Sequence, residues 1–219
     1  KNLRIHSKKT KLSKYGGYIK DFELNLRGGM NISIIADGPW GKSTFGRLIT
    51  GQKCIDSIVF NLDKKRVSSK MWSRYKGVNY LISGNPRFDL SIGEYLLGKN
   101  MGKITQLEID KIYSNLKRYR IFDFLTDHRD TLGRRIDMQD LSFTETVLLQ
   151  IAYCILNLKK IIVLDHLCVE NTNDKIKEAF VILEQKAKKS VIIVMSSKKN
   201  NYLNYEKTYE LGETKFQEI

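Results

Sequence analysis

The spacing of the hydrophobic positions changes along the chain, and each spacing predicts a different kind of element. In the N-terminal third, apolar residues alternate with polar ones, at Phe22, Leu24 and Leu26 and again at Ile58 and Phe60. Successive side chains of a strand point to opposite faces, so this period of two predicts half-buried strands. Glycines punctuate these runs, which favours an antiparallel β region.

The middle of the chain follows a longer period. Its apolar positions approximate 3.6 residues per turn, and they are Ile104, Leu107, Ile109, Ile112 and Leu116, continued by Phe122 and Leu125. This spacing is typical of helices with one apolar face. A further helix is predicted from about Phe143 to Leu156.

Three short apolar runs, residues 31–36, 161–164 and 191–195, indicate buried strands. The first leads into a Gly-Lys loop and a helix predicted over residues 43–49. The other two are separated by a helical pattern over residues 175–188. Strand, helix and strand in this order predict a parallel sheet with right-handed crossovers. The predicted fold class is therefore α/β: a core with a parallel sheet, an N-terminal antiparallel β region and a helical subdomain.

The loop after the first strand contains Gly38-Pro39-Trp40-Gly41-Lys42-Ser43-Thr44. In a phosphate-binding loop, backbone N–H groups and a helix N-terminus face the phosphates, the lysine reaches the β/γ oxygens and the serine hydroxyl ligates Mg²⁺. Two residues depart from the GxxxxGK[ST] pattern. Ala36 stands where the first glycine belongs, and Pro39 has no N–H to donate. The alternative interpretation is a chance Gly-Lys-Ser-Thr at a helix start.

A partner for this loop would be an acidic residue at the end of an apolar strand. Asp165 follows Ile161-Ile-Val-Leu164 and would hold Mg²⁺, usually through water. By itself, such an aspartate can also be a plain strand terminus.

Between these two elements lies the segment Leu141-Ser142-Phe143-Thr144-Glu145, which runs into the predicted helix and reaches Asp165 without a gap. This order resembles the nucleotide-binding domain of ABC transporters, in which the signature LSGGQ precedes a helix and a strand that ends in Asp-Glu. The resemblance covers nearly the whole chain. Tyr15 resembles the aromatic residue that stacks on adenine, and residues 77–83 with 88–92 resemble the Q-loop region of exporter-type members.

The resemblance implies one ABC-type domain over residues 1–219, with a RecA-like P-loop NTPase core and β region at 1–82 and 157–219 and a helical signature subdomain at about 83–156. It also implies ATP and Mg²⁺ as cofactors, a second nucleotide-binding domain as partner in a homodimer or heterodimer, and a transmembrane domain. We expect that domain upstream in the same chain, because the sequence begins at Lys1 rather than Met and starts directly in a strand-like stretch. The expected location is the cytoplasmic face of the cell membrane.

Three residues depart from the family at its catalytic positions. Ser83 replaces the Q-loop glutamine, His166 replaces the catalytic glutamate after Asp165, and Ser196 replaces the switch histidine. A neutral imidazole is a different group from the carboxylate that polarises the attacking water. We therefore expect weak or absent ATP hydrolysis.

The signature is altered too. Phe143 and Thr144 replace glycines where backbone must approach a phosphate closely, and Glu145 adds a negative charge there. The local alternative is that Ser142 and Glu145 form a capping box at a helix start.

Composition leaves other functions open. The formal net charge is +14, but the excess is scattered lysine without a dense basic stripe interleaved with aromatics, which argues against nucleic acid as a partner. Three dispersed cysteines, Cys54, Cys154 and Cys168, form no metal-binding framework and fit a reducing environment. The alternative functions are a stand-alone ABC-like regulatory or nucleic-acid-associated module and a different P-loop enzyme, such as a small-molecule kinase. The unbroken spacing from the signature to Asp165 argues against the kinase.

Overall fold

The computed structural model describes residues 2–11, 18–53, 55, 57–82, 90–126, 132–133, 141–165, 173–212 and 215–219. The chain forms two compact units. Unit 1 comprises Lys1–Ile82, Lys159–Glu170 and Ala187–Ile219, and unit 2 comprises Ser83–Leu158 and Asn171–Lys186.

Unit 1 contains the strands and two helices. The strands are β1 (Asn2–Lys11), β2 (Tyr18–Arg27), β3 (Asn31–Ile35), β4 (Val59–Leu62), β5 (Lys65–Val67), β6 (Val78–Ile82), β7 (Ile161–Asp165), β8 (Val191–Ser196), β9 (Lys207–Leu211) and β10 (Phe216–Glu218). The helices are α1 (Lys42–Ile49) and α2 (Ser69–Ser73).

One sheet of unit 1 is antiparallel, with strand order β2-β1-β4-β5. Leu3 lies opposite Leu26, and Ile5 lies opposite Leu24, so one face of the β1–β2 ladder is apolar and buried. The β4–β5 turn uses Asp63 and Lys64 with positive φ, as the tightest hairpins require. Asp63 Oδ1 also accepts a hydrogen bond from the backbone N–H of Asn2, 2.8 Å away, which fixes the turn to the start of β1.

The second sheet has the order β10-β9-β3-β8-β7-β6, and only the β10–β9 pair is antiparallel. Every residue of β7 and β8 is buried, as expected for parallel strands covered on both faces. The register sets Ile35 opposite Ser196 and Asp165 opposite both Met195 and Ile82. The carboxyl ends of β3, β8, β7 and β6 therefore meet at one edge, where ligands bind in open α/β sheets.

Helix α1 follows β3 and packs against β6 and β7. The ring of Phe45 is fully buried and contacts Phe22 and Phe216 edge-on or tilted, with centroids 5.3 and 4.9 Å away. At the other end of the helix, the indole N–H of Trp72 donates to the carbonyl oxygen of Ile49 at 2.8 Å. These contacts fix α1 at both ends, and with it the loop that precedes the helix.

Unit 2 is helical over its described residues, with α3 (Ile92–Leu97), α4 (Gln106–Leu116), α5 (Asp123–Thr126), α6 (Phe143–Leu156), α7 (Asp174–Lys186) and 3-10 turns at Met101–Lys103 and Arg120–Phe122. Helices α3, α4 and α6 begin with capping boxes, and α6 packs against α3 and α7. The capping box predicted for Ser142 and Glu145 is thus confirmed.

The fold class predicted from the sequence is confirmed, and the bounds of its elements differ by a few residues. Helix α6 has the predicted limits, whereas Ile104 lies before α4 because Thr105 caps that helix. Asp165 belongs to β7 itself rather than following it. The predicted subdomain division grouped residues 174–186 with the core, whereas α7 belongs to unit 2. None of the helices in the described ranges is long and apolar enough to cross a membrane.

The Trp72 contact generates a test of stability. We expect Trp72→Phe to lower the free energy of unfolding by about 1–3 kcal/mol, because it leaves a small void and a buried carbonyl without its donor. Chemical denaturation measures the change. Met71→Ala is the matched control, since Met71 is the preceding residue of α2 and is 66% exposed. Equal losses in the two variants would contradict the role of the Trp72 hydrogen bond.

Candidate functional site

The loop between β3 and α1 begins and ends in defined positions. The backbone N–H of Ala36 donates to the carbonyl oxygen of Ser196 at 3.0 Å, which joins the start of the loop to β8. Gly41, immediately before the helix, has φ 88° and ψ 29°, a left-handed conformation that glycine adopts without strain. Ala36 does not have a positive φ, since only Asp63 and Lys64 do among the described non-glycine residues. Alanine at position 36 is therefore compatible with the local backbone.

Trp40 lies across this loop. Its indole N–H donates to the carbonyl oxygen of Asp37 at 2.9 Å. A Cβ atom on Gly38 would lie 2.7 Å from the indole nitrogen, and Gly38 also has φ 135°. Only glycine therefore fits at position 38 beneath the indole.

The first turn of α1 offers positive charge to a ligand. No side chain caps this helix at Gly41 and no acidic residue lies in its first turn, whereas serine or threonine side chains cap α2, α3, α4 and α6. The uncapped N–H groups and the helix dipole favour an anion there. Lys42, the first residue of the helix, is buried, and nothing in the described part of the chain accepts a hydrogen bond from its ammonium group.

Asp165, at the carboxyl end of β7, is fully buried. Its Oδ2 atom lies 2.8 Å from the Tyr80 hydroxyl, whereas its Oδ1 atom has no hydrogen-bond partner among the described residues. A buried carboxylate oxygen without a partner is costly, so the site calls for a donor or a cation. A magnesium ion suits this oxygen, because Mg²⁺ takes one or two protein oxygen ligands and completes its shell with phosphates and water.

Tyr80 connects the two sides of the site. Its hydroxyl lies 2.8 Å from Asp165 Oδ2 and 3.0 Å from the carbonyl oxygen of Ser43, so a single proton serves two acceptors. Burial raises the pKa of Tyr80 and the Asp165 carboxylate raises it further, so the hydroxyl keeps its proton at neutral pH. Tyr80 on β6 thereby joins β7 to the first turn of α1.

Gly46 makes room for the Tyr80 ring. A Cβ atom at position 46 would lie 2.6 Å from Cε2 of Tyr80 and 3.1 Å from Sδ of Met195. Sequence reasoning missed Tyr80, although one signal was present. A glycine inside a short helix costs about 1 kcal/mol relative to alanine, and such a residue commonly has a packing reason.

Ser196, at the predicted switch position, is engaged in a local network. Its hydroxyl donates to the carbonyl oxygen of Lys198 at 2.6 Å and accepts from Asn200 Nδ2 at 3.1 Å. Asn200 Oδ1 in turn accepts from the Tyr205 hydroxyl. The hydroxyl of Ser196 therefore holds the turn after β8 in place and has no spare proton to exchange.

The signature residues surround the start of α6 in unit 2. Glu145 Oε2 accepts from the backbone N–H and the hydroxyl of Ser142, at 2.8 and 2.7 Å, and Ser142 Oγ accepts from the Glu145 N–H at 3.2 Å. Thr144 Oγ1 accepts from Asn173 Nδ2 at 2.9 Å. Phe143 remains 50% exposed, and Leu141 precedes the cap. The polar side chains of the signature are thus used within unit 2.

Three predicted site residues, Tyr15, Ser83 and His166, lie outside the described residues. At one end of the parallel sheet, the Tyr80 hydroxyl links Asp165 of β7 to Ser43 in the first turn of α1, the helix that also contains Lys42 and Thr44. Ser196 lies at the same sheet edge, with its side chain committed elsewhere.

By sequence, the chain matches no protein-family model and no curated protein. Solved structures are similar in fold. A nucleotide-free ATP-binding cassette from an ABC transporter is 20% identical, with a TM-score of 0.66 over 99% of this chain and 90% of that one. A bacterial Atm1-family ABC exporter with ATP bound is 14% identical, with a TM-score of 0.76 over 98% of this chain and 37% of that one. An inward-facing putative metal-chelate type ABC transporter is 15% identical, with a TM-score of 0.71 over 99% and 82%.

These likenesses extend over essentially the full length of the chain. They confirm the recognition made from the motifs: the chain has the fold of the ATP-binding cassettes of ABC transporters.

Proposed function

We propose that this chain is the nucleotide-binding domain of an exporter-like ABC transporter that binds Mg-ATP and hydrolyses it weakly or not at all. One observation carries the proposal. The Tyr80 hydroxyl joins two features of the site. One is the uncapped start of α1, with the buried Lys42. The other is the buried Asp165 carboxylate, whose Oδ1 has no hydrogen-bond partner among the described residues. A cationic helix start beside a lone carboxylate suits a phosphate chain with a divalent ion.

Each residue has a defined task in this proposal. The N–H groups of Gly41 and the first turn of α1 hold the phosphates, and Lys42 contacts the β and γ oxygens. Ser43 and Asp165 hold Mg²⁺, which neutralises the phosphate charge when it is bound. Gly38 and Thr44 shape the loop, and Tyr15 stacks on the adenine.

The proposed weak hydrolysis follows from the replaced helpers. Turnover needs a group that polarises and positions a water molecule in line with the γ-phosphate. The residue after Asp165 is His166 rather than a carboxylate, and Ser83 stands at the Q-loop position. Ser196 already donates its proton to the Lys198 carbonyl. ATP then acts as a ligand that stabilises the nucleotide-bound state of the domain rather than as a substrate that is hydrolysed rapidly.

The signature supports the same interpretation. Ser142 is occupied with Glu145, and Phe143 presents an exposed ring where a glycine backbone would approach a phosphate. A second nucleotide-binding domain that faced this surface would meet a bulky and partly acidic signature. We propose that the pairing, whether with a second copy or with a different domain, serves regulation and couples ATP binding to a transmembrane domain at the cytoplasmic face of the membrane.

ATP binding is the first test. With Mg²⁺ present, calorimetric titration should give a Kd tighter than about 1 mM, and Lys42→Ala should weaken binding by about tenfold or more, since it removes the cation nearest the phosphates. Lys188→Ala is the matched control, because Lys188 is an exposed lysine of unit 1 and should leave the Kd unchanged. A wild-type Kd weaker than millimolar would argue against the proposal.

Tyr80→Phe tests how the Asp165 carboxylate is positioned. Without magnesium, the variant and the wild type should bind ATP alike, whereas the gain in affinity on adding Mg²⁺ should be about three- to tenfold smaller in the variant, since one hydrogen bond to Asp165 is lost. Titrations in EDTA and in Mg²⁺ separate the two effects. Tyr75→Phe, in the same unit, serves as the control. An equal loss of affinity with and without Mg²⁺ would mean that Tyr80 only supports the fold.

Hydrolysis is tested separately. Steady-state phosphate release by the wild type should lie within about twofold of that by Lys42→Ala, because the residue that follows Asp165 in the sequence is His166 rather than a carboxylate. A robust wild-type rate that Lys42→Ala abolishes would overturn the proposed loss of turnover. That result would leave the proposed ATP binding intact.

A further inference from the structure

The outer face of the antiparallel sheet carries an ordered set of polar side chains. Along β1, Leu3 and Ile5 are buried, so Asn2, Arg4 and His6 point to the opposite face. The register sets Arg4 opposite Asn25 of β2 on one side and Asn61 of β4 on the other. Directly opposite residues have Cβ atoms about 5 Å apart, so the Arg4 side chain starts between those of two asparagines.

A cavity of about 720 Å³ opens over this row. Its lining contains five basic residues, three asparagines and three apolar residues, and no aspartate or glutamate. The lining residues are Asn2, Leu3, Arg4, His6, Asn25, Leu26, Arg27, Met30, Asn61, Lys64 and Lys207. All of them belong to unit 1.

Two of these cations are paired. Arg4 contacts Glu23 at 2.5 Å, and Lys207 contacts Glu218 at 2.5 Å. Arg27 and Lys64 form no ion pair with any residue that the structure describes. The cavity therefore carries an excess of positive charge. The chain as a whole has a formal net charge of +14, which is more than the residues of the phosphate loop account for.

We propose that this cavity binds a small, multiply phosphorylated ligand. Its volume lies within the range of about 300–1,000 Å³ that is usual for small-molecule sites. Arginine recognises phosphate through its planar fork of donors, and lysine adds a point charge. The carboxamides of Asn25 and Asn61 can donate to and accept from ligand hydroxyl groups. A soluble phosphorylated metabolite and the phosphorylated headgroup of a lipid share this chemistry.

Nucleic acid fits the cavity less well. Single strands are held along extended basic grooves with aromatic side chains on which the bases stack. No phenylalanine, tyrosine or tryptophan is among the lining residues, and the basic groups line one half-open pocket. A compact polyanion matches this arrangement better than a long one.

Glu23 acts as an internal competitor for the ligand. Its carboxylate accepts from Arg4 and, at 2.6 Å, from Asn25 Nδ2. Hydrogen bonds from Arg4 and Asn25 lower the pKa of Glu23, so it is an anion at neutral pH. It therefore occupies donors of the central row that a phosphate would use. Removing this charge should strengthen ligand binding, whereas removing Arg27 and Lys64 should weaken it.

The test uses the full chain with Lys42→Ala, so that the phosphate loop does not contribute. The probes are inorganic pyrophosphate, followed by calorimetry, and phosphatidylcholine vesicles with and without phosphatidylinositol bisphosphate, followed by co-sedimentation. Arg27→Ala with Lys64→Ala should weaken binding by about tenfold, and Glu23→Gln should strengthen it by about twofold or more. Binding of both probes, or of pyrophosphate alone, points to a soluble ligand. Binding of the vesicles alone points to a lipid headgroup. Each of these outcomes supports the proposal.

Matched variants separate this site from general charge effects. Lys117→Ala with Arg118→Ala removes the same charge as the cavity double variant, but from exposed residues of unit 2. Glu178→Gln removes the same charge as Glu23→Gln, at an exposed position of α7. Both controls should leave affinity within about twofold. Equal losses in the control and the cavity variants, or no binding of either probe at about 1 mM, would overturn the proposal. A short single-stranded oligonucleotide that bound more tightly than pyrophosphate, with the same dependence on Arg27 and Lys64, would also overturn it in favour of nucleic acid.

Discussion

The candidate nucleotide site depends on a buried carboxylate that the fold leaves half satisfied. Asp165 is held at the end of a fully buried strand, where water cannot solvate it, and one of its oxygens is bound by Tyr80. Its other oxygen has no partner among the described residues. The same tyrosine hydroxyl also reaches the carbonyl oxygen of Ser43 in α1. It therefore links the orientation of the carboxylate to the position of α1. A cation bound at the free oxygen would offset the cost of burying it.

The sequence patterns predicted the strands and helices in which buried positions recur at a regular spacing or form a continuous run. The period of two residues located β2, the period of 3.6 residues located α4, and the continuous apolar runs located β7 and β8. Short elements such as α2 and β10 were not predicted, because three to five residues are too few to establish a period. The role of Tyr80 could not be predicted from its own strand. It arises from residues 37 and 85 positions away in the sequence, which only the tertiary fold brings together.

The fold of this chain is shared with proteins of low sequence identity. Similarity in fold extends over the whole chain at 14–20% identity, so the packing of the core tolerates wide substitution. Two hydroxyl groups at the candidate site are satisfied locally: Ser142 caps a helix, and Ser196 closes a turn. Each of these hydroxyl groups therefore has a structural hydrogen bond within the fold.

The close contact between Gly46 and the Tyr80 ring couples the two positions. A methyl group at position 46 would lie 2.6 Å from the ring, so the tyrosine in its present rotamer requires glycine there. Substitutions at the two positions should therefore be non-additive. A larger residue at position 46 would displace the ring and take its hydroxyl away from the aspartate, so the packing of α1 and the hydrogen bond to Asp165 cannot be changed independently.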